Sequence, residues 1–129
     1  MVSRIYSRVL VPLDGSLAAE FAIRFAADLA RSHDADLLLL YLHVPPAKTA
    51  TSEIAASETQ NRDEITKYLA DVRKEQRDLG IRAYDYYLES RDLAEALFKF
   101  VDNERVSAIV MSTQGKTGML RWLFGSNLE

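Results

Sequence analysis

Residues 36–44 read DLLLLYLHV, an apolar run without the polar alternation of a strand that has one face in water. A strand covered on both faces has this composition, and such strands are typical of parallel sheets. Two prolines end the run. Three further β-rich runs, at 5–13, 81–88 and 106–111, predict the other strands. Partial alternation places the strand at 81–88 at or near an edge, whereas the run at 106–111 predicts a short buried strand.

Segments with helical periodicity separate these strands. The first carries Phe21, Phe25 and Leu29 at intervals of four residues beside a row of alanines, a stripe suited to lying flat on a sheet. The second has its apolar residues on one face and stops at Gly80. Residues 47–61, which precede it, are small and polar, and we interpret them as a loop or a frayed helix start.

A third helix completes the alternation of strands and helices. Asp92 or Ser90 is its predicted cap, and its predicted inward residues are Leu93, Leu97, Phe98 and Val101. Alternation of this kind requires a parallel sheet with right-handed crossovers. The predicted fold class is therefore α/β, a single doubly wound parallel sheet with helices on both faces, in one domain that spans 1–129.

Composition excludes several classes of function. The chain has 129 residues, of which 48% are hydrophobic and 27% charged, as in soluble globular proteins. It has no cysteine, so disulfides and thiolate metal sites are excluded, and with two histidines a multi-histidine metal site is not expected. A net charge of −3 argues against nucleic-acid binding. No apolar run approaches about 18 residues, so we expect no membrane span and a cytoplasmic location.

Candidate binding residues fall in two loops. Ligands of open parallel sheets bind beyond the carboxyl ends of the strands. Asp14 follows the first strand, where its carboxylate suits a ribose or base, although an Asx turn or a helix cap explains it equally well. The fourth strand leads into a segment with three of the five glycines and two basic residues, Lys116 and Arg121. Glycines that free backbone amides, next to positive charge, are typical of a phosphate cradle, but they also simply shape turns.

Two catalytic interpretations fail on spacing. Gly115-Lys116-Thr117 is similar to the end of a P-loop, but that motif requires a glycine where Val110 stands. No nucleophile, base and orienting group can be assembled from the candidate residues. We interpret His43, at the end of the second strand, as a packing residue. Binding is therefore favoured over catalysis.

Three segments together resemble the universal stress protein family, in particular its ATP-binding branch. They are VLVPLDGS, LLLLYLHV and AIVMSTQGKTGMLRWLFGS, and the resemblance covers essentially the whole chain. The last segment is similar to the family motif G-x-x-G-x9-G-S/T. Gly115 and Gly125-Ser126 have the motif's spacing, and Ser112 stands in place of its first glycine.

The resemblance implies a fold and a ligand. The family has a five-stranded parallel sheet in the order 3-2-1-4-5, and its members commonly dimerise through the last strand. Members of this branch bind ATP, usually with a divalent cation, so we expect ATP, with Mg²⁺ or Mn²⁺, as the ligand. Pro12, Leu13 and Asp14 would line the adenosine, and Val44 would meet the adenine through its backbone.

The remaining implied contacts lie along the ribose and the phosphates. Met111 and Ser112 would contact the ribose side. Backbone amides and one hydroxyl would hold the phosphates, from Gly115, Gly125, Ser126 and Asn127. The function that follows is an ATP-binding regulatory module of the stress response, at most a slow ATPase. The alternatives are an interaction module of the same fold that binds no nucleotide and a protein whose function is ATP hydrolysis itself, even if slow.

The end of the sequence carries a further expectation. Residues 126–129 read SNLE, which has the spacing of a capping box and predicts the start of a fourth helix. We expect the closing helix and strand to be missing, either because the chain stops there or because Leu128-Glu129 is a cloning scar. The fourth strand would then present an unpaired edge, which favours self-association.

Overall fold

Four parallel strands and three helices alternate along the described residues, 6–47, 49 and 51–112 of a computed structural model. The strands are β1 (Arg8–Leu13), β2 (Asp36–His43), β3 (Ala83–Glu89) and β4 (Ala108–Ile109). The helices are α1 (Leu17–His33), α2 (Ser52–Asp78) and α3 (Leu93–Asn103). The sheet order is β3-β2-β1-β4, and all pairs are parallel. The predicted α/β class and the first four strands of the expected order are confirmed.

The leucine run of β2 forms the middle of the core. Its side chains alternate between the two faces of the sheet, so that Leu37 and Leu39 pack with α1 and α2 while Leu38 and Leu40 pack with α3. All four are 0% exposed. Because β2 pairs with β1 on one side and β3 on the other, both of its faces and both of its edges are covered. The prediction of a doubly covered strand is confirmed, as is the edge position of β3.

Helix α1 docks on the sheet through alanines. Phe21 and Phe25 are 69% and 71% exposed, so the expectation that their stripe faces the sheet is wrong. The small side chains let the helix backbone approach the strands closely, and the phenylalanines consequently lie on the outer side. The buried residues of the helix are Ala19, Ala22, Ile23, Ala26, Ala27 and Ala30.

Helix α2 begins earlier than predicted. It starts at Ser52, with the Thr51 hydroxyl accepting a hydrogen bond from the Ile54 amide, so most of the segment 47–61 is helical rather than a loop. Of the two interpretations of that segment, the loop is wrong, and the start of a helix is what the structure has from residue 52. A side-chain cap satisfies one of the free amides of this first turn, in which every side chain is exposed. Gly80 follows the helix with a φ of +86°, as expected for a stop signal.

Helix α3 begins at the predicted cap. The Asp92 carboxylate accepts a hydrogen bond from the Glu95 amide at 3.0 Å. Phe98 is 54% exposed, so its predicted inward position is wrong. Spacings of four and three residues keep side chains on one helix face, and Phe98 does not fit that series. The buried residues are Leu93, Leu97 and Phe100.

Strand β4 is shorter and more exposed than predicted. It pairs with β1 over two residues, Val9 with Ala108 and Leu10 with Ile109. Ile109 is 42% exposed, so the prediction of a buried strand at 106–111 is wrong in both length and burial. Within the described residues β4 has a neighbour on one side only, which explains the exposure. The predicted helix start at Ser126 lies outside the described residues.

Candidate functional site

The connections between strands change face next to β1. Helices α1 and α2 lead from β1 to β2 and from β2 to β3, and both pack on one face of the sheet. Helix α3 leads from β3 across to β4 and packs on the opposite face. The two sets of crossovers therefore diverge between β1 and β4. The carboxyl ends of these two strands form the topological switch point, where ligands of such sheets bind.

Asp14 lies at this switch point in a fixed conformation. The residue is 8% exposed, and its Oδ1 accepts a hydrogen bond from the Ser16 amide at 3.0 Å. Gly15 between them has a φ of +84°, which glycine adopts without strain. The hydroxyl of Ser16 in turn accepts from the Ala19 amide and caps α1. The Asx turn is thus present, and it holds a buried carboxylate in the loop that follows β1.

The chain after β4 runs past the same end of β1. The Val110 amide donates to the Leu10 carbonyl at 2.8 Å, which keeps the chain beside β1 beyond the last paired residue. Met111 packs on the α3 face against the core cluster that includes Leu10. Ser112 follows it, so the chain after β4 continues at the same edge of the sheet as the loop after β1. Those residues with predicted phosphate contacts, Gly115, Gly125, Ser126 and Asn127, lie outside the described residues.

The other predicted adenosine contacts differ in accessibility. Pro12 is buried, and Leu13 is 0% exposed within the core on the α1 face. Only the backbone of Leu13 is therefore available to a ligand. Val44 is 44% exposed and lines a cavity of about 270 Å³ at the carboxyl end of β2. The other residues of that cavity are Arg91, Asp92, Leu93 and Ala94.

Two tyrosines that the sequence analysis missed lie near Asp14, on the face of the sheet that α1 and α2 cover. Tyr41 and Tyr68 line a second cavity, of about 190 Å³, together with Gly15 and residues of α2. Burial, followed by the charge of Asp14, raises the pKa of Tyr41. Burial also raises the pKa of Tyr68, and a hydrogen bond to Glu20 adds to the effect. The one available signal for Tyr41 is that it interrupts the leucine run with a hydroxyl.

Polar bridges connect α2 to the ends of β2 and β3. His43 Nε2 lies 2.7 Å from Glu58 Oε2, and Arg62 Nη2 donates to Glu89 Oε1 at 2.7 Å. His43 is thus the partly buried residue predicted, with its ring centroid 6.3 Å from that of Tyr87, and it also bridges β2 to α2. None of the helices in the described part of the chain combines the length and the apolar composition that a membrane span requires.

A parallel sheet in the order β3-β2-β1-β4, with helices on both faces, defines a doubly wound α/β domain. The model of the universal stress protein family matches residues 5–129. The chain belongs to the universal stress protein family.

Individual relatives agree with this assignment. The chain is 28% identical to a universal stress protein of Methanocaldococcus jannaschii over 128 residues, 97% of this chain and 75% of the relative. It is similar to a crystal structure of a family protein from Burkholderia pseudomallei, with a TM-score of 0.77 and 26% identity, covering 98% of this chain and 94% of that one. It also has the fold of a universal stress protein from Archaeoglobus fulgidus solved in complex with dAMP, with a TM-score of 0.66, 20% identity and coverage of 95% and 94%.

Proposed function

We propose that this chain is a nucleotide-binding regulatory module of the stress response that binds ATP at the carboxyl edge of its sheet. The observation that carries the proposal is the position of Asp14. Its carboxylate is buried and bonded to the Ser16 amide at the carboxyl end of β1, and the chain after β4 leaves the sheet at the same edge. A carboxylate in such a crevice accepts hydrogen bonds from the hydroxyls of a ribose.

The dAMP complex of the Archaeoglobus fulgidus relative supports an adenine nucleotide as the ligand. In this proposal the adenine lies near Val44, on the α3 face, and Met111 and Ser112 follow the ribose. The phosphates extend toward the glycine-rich segment that follows. Amides of Gly115, Gly125 and Asn127, with the Ser126 hydroxyl, hold them, because glycines let a backbone approach an anion closely.

A divalent cation fits this site as a companion of the nucleotide. Among the described residues, no group of three or more acidic or histidine side chains is arranged to hold a metal ion. Mg²⁺ is commonly bound through one or two carboxylates together with substrate phosphates. Asp14 is the one carboxylate that the described residues place at the switch point. Because a single carboxylate supplies few ligands, Mg²⁺ or Mn²⁺ would be held mainly by phosphate oxygens. When bound, the cation neutralises phosphate charge in an otherwise acidic protein.

Isothermal titration with ATP tests the proposal. Asp14→Asn keeps an oxygen for the Ser16 amide but removes the charge, and we expect it to weaken ATP binding by about tenfold to a hundredfold. Asp28→Asn is the matched control, because it makes the same charge change on an α1 side chain that is 80% exposed. Absence of heat with millimolar ATP would overturn nucleotide binding. If both variants weakened ATP binding equally, Asp14 would not be part of the binding site.

A row of exposed apolar side chains favours a second candidate, an interaction module of the same fold. Leu17, Phe21 and Phe25 are 81%, 69% and 71% exposed along one side of α1. Contiguous exposed apolar surface marks interaction sites, and a second copy of the chain is the simplest partner. Light scattering of the wild type and of a Phe21→Ser, Phe25→Ser double variant tests this. A dimer that the variant abolishes supports it, and a wild-type monomer at every concentration excludes it.

A further inference from the structure

The loops that follow β2 and β3 are joined by two hydrogen bonds. The Ser90 amide donates to the His43 carbonyl at 3.0 Å. Arg91 Nη2 donates to the Pro46 carbonyl at 2.7 Å. The two acceptors lie on either side of Val44 in the sequence. Consecutive residues of the β3 loop therefore hold the chain immediately before and shortly after Val44.

The segment between these two acceptors, residues 43–46, is stiff because it contains two prolines. Pro45 and Pro46 each have φ fixed near −65° and have no backbone N–H. A residue that precedes proline is also restricted to extended conformations, which applies to Val44. The backbone of this segment consequently has few conformations to lose, and one well-placed hydrogen bond at its far end is sufficient to define its position.

Arg91 also borders the space that Val44 faces. Both residues line the cavity of about 270 Å³ at the amino end of α3. The Arg91 side chain lies at the exposed surface, and its bond to Pro46 joins two loops rather than core elements. Its removal should therefore leave the fold intact while it loosens the wall of this cavity.

We propose that Arg91 is a positioning residue for recognition of the nucleotide base, an inference that rests on the proposed function. By holding the Pro46 carbonyl, Arg91 fixes the Val44 backbone at the position where it meets the base. The Val44 carbonyl accepts a hydrogen bond from the amino group of adenine. Guanine has an oxygen acceptor at the corresponding position and is rejected. A displaced Val44 would lose this discrimination.

Titration of three probes into Arg91→Ala tests the inference. The probes are ATP, GTP and inorganic tripolyphosphate, each with Mg²⁺. We expect the variant to bind ATP about tenfold more weakly, which corresponds to the loss of about one charge-assisted hydrogen bond. GTP affinity should fall less, and tripolyphosphate affinity should not change. Arg91→Lys, which retains one donor for Pro46, should recover part of the preference for ATP.

A control and the opposing outcomes separate this inference from the proposed function. Arg24→Ala removes the same charge from an exposed position on α1 and should leave all three affinities unchanged. Wild-type protein that fails to bind ATP would overturn the proposed function itself. Wild-type protein that binds ATP, together with an Arg91→Ala variant of unchanged affinity and selectivity, would overturn the role of Arg91 alone. An equal loss for all three probes would indicate general loosening and would also overturn it.

Discussion

The two halves of α2 are held in different ways. In the front half, residues 52–64, every side chain is exposed except Glu58, which is partly buried. In the rear half, residues 65–78, one face packs against the sheet. The buried residues of the rear half are Ile65, Leu69, Val72 and Gln76. One helix thus passes from a segment stabilised by apolar burial to a segment that is stabilised by its cap and by polar bridges.

The front half takes its position from polar partners at the ends of two strands. Glu58 pairs with His43 at the end of β2, and Arg62 pairs with Glu89 at the end of β3. Exposed ion pairs contribute little free energy, and short helices without tertiary burial are marginal in water. This part of α2 is therefore placed by contacts that fix its orientation but add little to the stability of the fold.

The largest expected effect is a core truncation in the rear half. Leu69 is 1% exposed, so Leu69→Ala should lower the free energy of unfolding by about 2–5 kcal/mol. Ile54→Ala, in the front half, removes a side chain that is 45% exposed and should change it by about 0.5 kcal/mol or less. Urea unfolding of both variants measures the difference. Comparable losses would show that the front half is part of the cooperative core.

The next effect concerns local opening. Because the front half buries no apolar residue, its amides should exchange with solvent through openings that cost at least about 2 kcal/mol less than global unfolding. Amides near Leu69 and Val72 should exchange close to the global limit. Native-state hydrogen exchange, resolved by residue, measures both sets. Uniform protection along the whole helix would contradict the division into two halves.

The same contrast explains which parts of the fold could be predicted. The rear half buries residues at helical spacing, so its helical period can be recognised in the sequence. The unbroken leucine run of β2 indicates a buried strand in the same way. The front half has no buried face and hence no apolar period, which is why residues 47–61 resembled a loop. In α1 the alanines and phenylalanines are both apolar, so hydrophobicity alone did not show that the smaller side chains face the sheet.

The candidate site was predictable where it depends on chain order. Strand alternation is sufficient to bring Asp14 and Ser112 to one edge of the sheet. Arg91 and Tyr41 were missed because their contacts join loops and faces that are distant in sequence. Arg91 acts on Pro46, across 45 residues of chain, and no spacing rule connects the two.

A smaller effect is expected at high pH, where the rear half meets α1. Burial, followed by the hydrogen bond to Glu20, raises the pKa of Tyr68, so the folded state favours its neutral phenol. The stability that the raised pKa of Tyr68 contributes is fully present below the pKa of an unfolded tyrosine, near 10. It is lost as the pH rises toward the pKa of the folded state. The slope should stay below the one-proton limit of about 1.4 kcal/mol per pH unit, because solvent screens the half-exposed group.

Urea unfolding at pH 9 and pH 11 measures this contribution. The wild type should lose more stability between the two values than Tyr68→Phe does, whatever the absolute stability of the variant. Tyr84→Phe, at an exposed tyrosine of β3, is the matched control and should retain the wild-type difference. A Tyr68→Phe variant with the full wild-type loss would assign the pH dependence to other groups.

The smallest effect is expected from reversing the bridge between the front half and β3. Arg62→Glu places two carboxylates together where Arg62 and Glu89 now pair, so exchange of the amides around residue 62 should accelerate while global stability barely changes. Adding Glu89→Arg restores opposite charges and should restore protection, although the Tyr87 hydroxyl then loses its Glu89 acceptor. Raising the ionic strength should shrink both changes, because exposed charges are screened. If the double variant exchanged as fast as the single one, opposite charge would not be what positions the front half, and the geometry of the original guanidinium–carboxylate pair would be required instead.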